Sequence, residues 1–284
     1  MFTIEKYLDW FSFNPENVIH QIEWLDPNRT IMTQSFTPPS PIGTLLFVHG
    51  YFDHVGLQRH AITYFTQHGY RVLAFDLPGH GFSSGPRHSI EDFAEYVCSL
   101  HQIVQWAKQF SSDISLVAHS TGAAISLSYL CLYPNPFHHH IWVAPLVRSA
   151  GWGATQFFTP FIGMFAKRIL RLSLSSSSDP EYRNRAKQDP FRGKYVPLDW
   201  IHALQKWNTT ISQIQPMDIP VLILQGNQDR TVDWRYNIPF LQTKLPLAQV
   251  DIIPSAKHQL LNEVESIRTP IFERMLGYLQ NERG

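Results

Sequence analysis

The residue that could do chemistry in this chain is Ser120, in the stretch LVAHSTGAA (116–124). An apolar run precedes it and small residues follow it, which is typical of a strand, a sharp turn and a helix. Such a turn strains its middle residue and requires small residues on both sides, here Ala118 and Gly122. It would hold the hydroxyl at a helix N-terminus, where it could act as a nucleophile. An ordinary turn or N-cap serine is the alternative.

A serine nucleophile needs a base and an orienting carboxylate. Asp229 follows the apolar run VLILQ (221–225), and His258 follows QVDIIP (249–254). Because sites in open parallel sheets form at the carboxyl ends of strands, we expect these side chains to meet Ser120 at one edge. The order Ser, Asp, His predicts a catalytic triad for acyl transfer, with Ser120 as nucleophile, Asp229 as acid and His258 as base.

Other acids and histidines of the sequence are candidates for the same roles. Asp233 competes with Asp229 and is expected in the following helix, Asp251 lies inside a predicted strand, and Glu263 suits the next helix. His138–His140 are expected to form an exposed run. No acidic or cysteine partners stand at ligand spacing around this triple histidine, so no metal site is predicted.

The segment HGYFDHVG (49–56) should bring its backbone near Ser120. We expect the N–H groups of Tyr51 and Thr121 to form an oxyanion hole. His49 is interpreted as a buried ring that hydrogen-bonds this loop, whereas His54 could be structural or could line the pocket.

Four aromatic residues are candidate substrate contacts. Phe52 and His119 adjoin the predicted oxyanion donor and nucleophile, and Phe157 and Phe161 lie in a later aromatic stretch.

The elements that must position these residues alternate between apolar runs and helical patterns, which predicts right-handed βαβ units and a mostly parallel sheet. A hairpin comes first, with its turn at Pro27 and Asn28. A long helix is expected over 89–110, starting at Ser89. The predicted parallel strands are TLLFV (44–48), RVLAFD (71–76), ISLVA (114–118), HIWVA (140–144), VLILQ and QVDIIP.

The alternation stops between residues 146 and 208, where no apolar strand is apparent, and this segment is interpreted as an insertion of short helices over the sheet. Its aromatic positions fall near one face at helical spacing. They could line an acyl pocket, touch a lipid surface, or simply cover the core. Basic residues nearby would suit an anionic interface. The aromatic and apolar positions are Phe157, Phe158, Phe161, Phe165, Ile169 and Leu172, and the basic ones are Lys167, Arg168 and Arg171.

Composition excludes several classes of protein. The 284 residues are 44% hydrophobic and 16% charged, which suits one large domain or a domain with an insertion. Lys+Arg and Asp+Glu both number 23, so a nucleic-acid partner is not expected. The stretch DLPGHGFSSG (76–85) lacks nucleotide-binding spacing, and no cofactor is predicted.

Location and redox state are predicted from simple features. The stretch MFTIEKYLDWF (1–11) has no basic region followed by an apolar run, so we do not expect a secretory signal here, and no apolar run approaches the roughly 18 residues of a membrane span. We expect a cytoplasmic protein with at most peripheral membrane contact. Cys98 and Cys131 are expected to be buried thiols in a reducing compartment. The sequence leaves the oligomeric state open.

Five motifs, HGYFDH, DLPGHGFSSG, AHSTGA, GNQDRTVD and AKHQLLNE, resemble in this order the α/β-hydrolase superfamily. Within it they resemble the monoglyceride lipase and lysophospholipase branch, which is grouped with serine aminopeptidase-like hydrolases. The resemblance covers most of 44–145 and 209–265. It implies an α/β fold with a mostly parallel eight-stranded sheet, helices on both faces and a helical cap. The core would be 1–145 and 209–284, and the cap 146–208.

The resemblance also implies an activity. The expected protein is a serine hydrolase of carboxylic esters, acting on a lysophospholipid, a monoacylglycerol or another small ester. The sharp turn at Ser120, or elbow, departs from the family pattern at Ala118, where glycine is usual. Alternatives are a thioesterase, a catalytically silent binding protein, or an aminopeptidase, for which Asp179, Glu181 and Asp189 are the candidate amine-binding acids.

Overall fold

An eight-stranded sheet organises the computed structural model, which describes residues 3–11, 13, 18–25, 30–171 and 175–280. Its strands are β1 (Ile19–Leu25), β2 (Ile31–Thr37), β3 (Gly43–Val48), β4 (Tyr70–Phe75), β5 (Ile114–His119), β6 (Phe137–Val143), β9 (Leu222–Gly226) and β10 (Gln249–Ile253), and a separate pair is β7 (Arg168–Leu170) and β8 (Tyr195–Pro197). The order in the main sheet is β1-β2-β4-β3-β5-β6-β9-β10. The pairs from β4 to β10 are parallel, and β2 pairs antiparallel with both β1 and β4.

Helices cover both faces of this sheet. They are α1 (Ile4–Phe11), α2 (Arg59–Gln67), α3 (Ala94–Ala107), α4 (Thr121–Leu132), α5 (Trp152–Gly163), α6 (Pro180–Gln188), α7 (Leu198–Ser212), α8 (Trp234–Lys244) and α9 (Glu265–Gln280). Alternate residues of β3 point to opposite faces, so Leu46 and Val48 pack with α3 and α4 while Leu45 and Phe47 pack with α2 and α9. The predicted mostly parallel sheet with two apolar faces is confirmed.

The first hairpin is confirmed in its strands, since β1 and β2 pair antiparallel from Leu25↔Ile31 to Ile19↔Thr37. Its predicted turn at Pro27 and Asn28 lies outside the described residues.

The predicted start of the long helix at Ser89 is wrong. The helix α3 begins at Ala94, whose N–H donates to the Asp92 carboxylate at 2.9 Å. The Glu95 side chain accepts from the Glu91 N–H at 2.8 Å. Because the Asp92 and Glu95 carboxylates bond the backbone N–H groups around the start of the helix, the capping oxygens lie after Ser89 and the helix starts later.

Two predictions about exposure are also wrong. Cys98 and Cys131 are exposed, because they face solvent from α3 and α4. The triple histidine lies in β6, an interior strand between β5 and β9, so His139 and His140 are buried and only His138 is exposed.

The segment between β6 and β9 differs from its prediction in two respects. It contains strands, since β7 and β8 pair antiparallel through three residues each. The helix α5 ends at Gly163, so Phe165 and Ile169 do not share its face, and Leu172 lies outside the described residues. Its phenylalanines do not cover the core, because Phe157 is 65% and Phe161 54% exposed. None of the helices in the described ranges combines the length and apolar character that crossing a bilayer requires.

Candidate active site

The backbone of Ser120 is strained, as the sequence predicts. Ser120 lies between β5 and α4 with φ 51° and ψ −111°, a region that costs a non-glycine residue on the order of 1–3 kcal/mol. Two hydrogen bonds fix it against the chain around β6, from its N–H to the Val143 carbonyl at 2.9 Å and from the Leu146 N–H to its carbonyl at 3.1 Å. The side chain is thereby fixed at the carboxyl edge of the sheet.

Glycines beside the elbow allow the close approach of neighbouring chains. A Cβ added to Gly122 would lie 2.3 Å from the Val48 carbonyl oxygen, so the end of β3 limits this position. A Cβ on Gly50 would lie 3.1 Å from the Cβ of Ser120, which shows that the loop after β3 lies against the predicted nucleophile.

Asp229 and His258 meet at the adjacent strand ends. His258 Nδ1 lies 2.8 Å from Asp229 Oδ2. The other carboxylate oxygen accepts from the N–H groups of Thr231 at 2.7 Å and Val232 at 3.2 Å. Burial opposes ionisation of Asp229, but the charge and hydrogen bond of His258, helped by these backbone donors, lower its pKa. The arrangement holds the imidazole in one orientation.

The sheet explains why these two residues converge. The strands β9 and β10 are parallel and end in register at Gly226 and Ile253, so the loops that follow start side by side. A Cβ on Gly226 would lie 2.4 Å from the Ala256 carbonyl oxygen, which shows how closely the two loops pack. Asp229 and His258 are therefore neighbours although they are distant in the chain.

His119 connects the loop that carries His258 to the elbow. Its Nε2 donates to the backbone carbonyl of His258 at 3.1 Å, and the two rings have centroids 4.9 Å apart. His119 directly precedes Ser120, so the loop that carries His258 contacts the residue next to the predicted nucleophile. Among the described residues the Ser120 hydroxyl makes no hydrogen bond to the imidazole of His258. Such contacts commonly tighten when substrate is bound.

The predicted oxyanion donors lie on two sides of the elbow. Thr121 is the first residue of α4, and the first N–H groups of a helix have no acceptor within it. Tyr51 follows Gly50, which contacts the elbow, and its hydroxyl donates to the His88 carbonyl at 2.6 Å. Its ring stacks on Trp200 of α7. The Tyr51 side chain thus ties the loop after β3 to α7 and to the segment around His88.

The four predicted substrate contacts occupy different settings. Phe52 is buried with φ 62°, and its ring centroid is 4.2 Å from the Arg171 guanidinium carbon. His119 is buried between Asp53 and His258. Phe157 and Phe161 are exposed on α5, and their ring centroids are 5.9 Å apart. Only Phe52 and His119 are brought to the elbow by the described contacts.

The competing acids have structural partners. Asp233 is the N-cap of α8 and accepts from the Tyr236 N–H at 3.4 Å, so it precedes the helix rather than lying within it. Asp251 pairs with Arg274 at 2.7 Å. Of these three acids, Asp229 is the one whose carboxylate contacts His258.

The expectation that Glu263 serves the next helix is wrong for its side chain. This fully buried carboxylate accepts from the Lys257 N–H at 2.7 Å and from the Ser178 N–H at 2.6 Å. It therefore joins the loop that carries His258 to the segment before α6. The spacing in AKHQLLNE puts Glu263 near His258 in the sequence, but its partner Ser178 is remote in the chain.

Asp53 belongs to the candidate site although the sequence predicts no role for it. Its Oδ2 lies 3.3 Å from His119 Nδ1 and accepts from Gln259 Nε2 at 2.9 Å. Burial would raise the pKa of Asp53, but the hydrogen bond and charge of His119, with further help from Arg192 and Gln259, hold it well below its usual range. The available signal was adjacency, since Asp53 and Gln259 directly follow residues assigned to the site.

The two histidines of the loop after β3 are structural. His49 donates from Nδ1 to the Gly50 carbonyl at 2.8 Å and accepts from the Leu77 N–H at 2.9 Å, and burial holds its pKa well below the usual value. The interpretation of His49 is confirmed. His54 lies 2.9 Å from the Asp189 carboxylate and accepts from the Gly56 N–H, so it joins this loop to the end of α6. The described residues include no group of three or more His, Cys, Asp or Glu arranged to hold a metal ion.

Comparison with known proteins identifies the family. The family described as serine aminopeptidase, S33, matches residues 39–265. The monoglyceride lipase homolog of Monkeypox virus is 26% identical over 270 residues, which cover 89% of this chain and 95% of that protein. The probable lysophospholipase L2 of Haemophilus influenzae is 24% identical over 255 residues, which cover 76% of each chain.

A solved structure supports the same assignment at the level of the fold. The crystal structure of a soluble variant of monoglyceride lipase from Saccharomyces cerevisiae, in complex with a substrate analog, superposes with a TM-score of 0.80 at 20% identity. The match covers 94% of this chain and 97% of that one. The predicted α/β-hydrolase fold is confirmed, and the chain belongs to the serine aminopeptidase S33 family of α/β-hydrolases.

Proposed function

We propose that this protein cleaves carboxylic esters through an acyl-enzyme formed on Ser120, with His258 as base and Asp229 as its orienting acid. The observation that carries the proposal is the 2.8 Å contact between His258 Nδ1 and Asp229 Oδ2 at the edge where the strained Ser120 turn lies. Because the carboxylate accepts the Nδ1 proton, Nε2 is left as the basic nitrogen.

The reaction follows from these positions. Ser120 Oγ attacks the ester carbonyl while His258 Nε2 takes its proton, and the N–H groups of Tyr51 and Thr121 stabilise the oxyanion. The imidazolium then protonates the departing alcohol. Water, deprotonated by the same nitrogen, attacks the acyl group and restores Ser120.

The proposed substrate is a monoacyl lipid. Two relatives carry the names monoglyceride lipase homolog and probable lysophospholipase L2. In the proposed division, residues 146–208 are the cap over a core of 1–145 and 209–284, and α7 continues across this boundary to Ser212. The exposed aromatic face of α5 gives an acyl chain, or a membrane surface that supplies it, an apolar approach to the cap.

An aminopeptidase on this fold is the less favoured candidate, because the acids proposed for a substrate amine have other partners. Asp179 caps α6 by accepting from the N–H groups of Glu181 and Tyr182. Glu181 pairs with Arg59 at 2.6 Å, and Asp189 pairs with buried His54. Each of these three carboxylates therefore already bonds a group of the protein rather than being held ready for a substrate α-ammonium group.

The proposal is tested with Ser120→Ala and a graded panel of p-nitrophenyl esters and monoacyl lipids. Wild-type protein should react with a fluorophosphonate probe and hydrolyse esters, and the folded variant should do neither. Ester turnover that survives in Ser120→Ala would refute the assignment, and a wild-type protein inert to the probe would favour a silent binding protein. Matched acyl esters and thioesters, compared by kcat/KM, separate an esterase from a thioesterase.

A further inference from the structure

Four cationic side chains line one pocket beside the segment that links β7 to α6. The pocket has a volume of about 310 Å³. Its lining also supplies three hydroxyl groups, and none of its described lining residues carries a carboxylate. The lining residues are Arg171, Ser175, Ser176, Tyr182, Arg183, Ala186, Lys187 and Arg192.

The backbone explains why these charges point to one place. Arg183 and Lys187 are one turn apart on α6 and share a face. Arg171 directly follows β7, and its N–H donates to the Lys194 carbonyl at 2.9 Å, which ties the two strands of this small sheet together beside the pocket. Arg192 comes from the connection between α6 and β8 and donates to the Tyr182 hydroxyl at 3.5 Å.

The positive charge of the pocket is incompletely balanced. Burial and the nearby charge of Arg192 lower the pKa of Arg171 to about 10, with Asp53 acting in the opposite direction. Asp53 also faces Arg192, as does Asp189, but these two carboxylates already bond His119 and His54. The buried Nε of Arg192 has no hydrogen-bond acceptor among the described residues.

The pocket adjoins the proposed catalytic centre. The Arg171 guanidinium lies over the Phe52 ring, whose centroid is 4.2 Å from that of Tyr51. The backbone N–H of Tyr51 is a proposed oxyanion donor. A group held by Arg171 would therefore lie near the polar end of an ester bound at Ser120.

We infer that this pocket binds a phosphate group, and that the preferred substrate is a monoacyl lipid carrying a phosphate rather than a neutral monoacylglycerol. Guanidinium groups match phosphate oxygens in bidentate geometry, and clustered cations with hydroxyl donors suit a dianion better than a neutral glycerol. This inference rests on the proposed ester hydrolysis at Ser120.

The first experiment compares kcat/KM for a monoacylglycerol and its 3-phosphate with the same acyl chain, below their critical micelle concentrations. Wild-type protein should prefer the phosphate ester. Arg171→Gln and Lys187→Gln should each lower kcat/KM for that substrate about 10- to 100-fold and change the neutral substrate far less. Arg168→Gln removes an equal charge from a guanidinium that stacks on Tyr195 outside the pocket, and should preserve the preference.

Several outcomes would overturn the inference. Equal losses on both substrates would mean that Arg171 only shapes the site. A loss of preference in Arg230→Gln but not in Arg171→Gln would place the phosphate in the neighbouring pocket lined by Arg230, Arg235 and Lys257. Inhibition by inorganic phosphate that depends on Arg171, without any preference between the lipids, would indicate a free-phosphate site instead.

A binding measurement separates this inference from the proposed function. In Ser120→Ala, a non-hydrolysable ether analogue of the phosphate lipid should bind at least 10-fold more tightly than its neutral counterpart. Arg171→Gln in that background should abolish the difference. If no ester is turned over but this difference persists, the proposed hydrolysis fails and the phosphate pocket stands, whereas equal binding of both analogues refutes the pocket.

Discussion

The ring of Tyr51 lies parallel to the indole of Trp200, with centroids 3.8 Å and planes 13° apart. Through this stack, α7 fixes a residue whose backbone N–H is a proposed oxyanion donor. We expect Trp200→Ala to lower kcat by about 10-fold with a smaller change in KM, since loss of one such donor costs 100-fold or more. Trp200→Phe keeps an aromatic partner and should restore most of the rate.

The control for this prediction is Trp207→Ala, because Trp207 is also buried on α7 but bonds Ser128 and stacks on Phe93 rather than on Tyr51. Both alanine variants should lose on the order of 3–5 kcal/mol of folding stability. Kinetics are measured at a temperature where both remain folded by circular dichroism. Equal losses of kcat would show that Trp200 contributes only to stability.

Asp229 and Asp233 provide a matched pair for testing the acid of the triad. Asp229→Asn would disturb the orientation and tautomer of His258, and we expect kcat to fall by on the order of 10⁴. Asp233→Asn should retain the rate, because asparagine is also a good N-cap for α8. Steady-state rates on one soluble ester decide the question, and comparable activity of the two variants would contradict the assignment of Asp229.

The sequence was sufficient for the parts of the fold that depend on long apolar runs. Such runs identified the interior strands, and their carboxyl ends located Ser120, Asp229 and His258. Contacts between remote side chains were not predictable. Asp53 meets His119 because the loop after β3 lies against the elbow, and Glu263 meets Ser178 because the segment before α6 packs on the loop that carries His258.

Short strands and the ends of helices could not be predicted from the sequence pattern alone. The strands β7 and β8 span three residues each, which is too short to produce a recognisable pattern. The start of α3 was misplaced because Asp92 competes with Ser89 as a source of capping oxygens. Burial of His140 depends on the position of β6 between β5 and β9, which composition does not encode.

Gly122 tests the packing of the elbow on β3. Because a Cβ here would lie 2.3 Å from a backbone oxygen, Gly122→Ala should lower the free energy of unfolding by about 3 kcal/mol. Gly277→Ala meets nothing within 4 Å on α9 and should raise it by about 0.5–1 kcal/mol. Urea denaturation of the two variants gives both values. A neutral Gly122→Ala would mean that the elbow relaxes without cost.

Buried histidines predict a loss of stability in mild acid. Burial lowers the pKa of His80 to about 4, and those of His88 and His140 to about 3. Below pH about 6.5 the unfolded chain binds protons that the folded chain excludes, so the free energy of unfolding should decline from there towards pH 4. The direction is opposite to that of a histidine stabilised by a charged partner.

His140→Gln isolates one contribution to this decline. It should reduce the slope of unfolding free energy against pH between 4 and 6.5 by up to about 1.4 kcal/mol per pH unit. His138→Gln, at an exposed position of the same strand, is the matched control for replacing a histidine here. Urea denaturation at several pH values measures the slope, and identical slopes in wild type and His140→Gln would contradict the prediction.

The exposed face of α5 and the turn after it should contact an anionic membrane surface. Phe158 is 54% and Phe165 88% exposed, and residues 149–178 contain no Asp or Glu while carrying Lys167, Arg168 and Arg171. An apolar patch joined to cations suits the headgroup region of a bilayer. We therefore expect the double variant Phe158→Ser/Phe165→Ser to bind vesicles containing phosphatidylglycerol at least 10-fold more weakly than wild type.

Two measurements distinguish membrane contact from damage to the active site. Hydrolysis of a soluble p-nitrophenyl ester should be unchanged in the double variant, whereas hydrolysis of a monoacyl lipid presented in the same vesicles should fall with binding. Leu132→Ser alters an exposed apolar residue on α4, away from this face, and should leave both activities intact. Because the patch acts only at the bilayer in this account, undiminished vesicle binding by the double variant would exclude it as the contact surface.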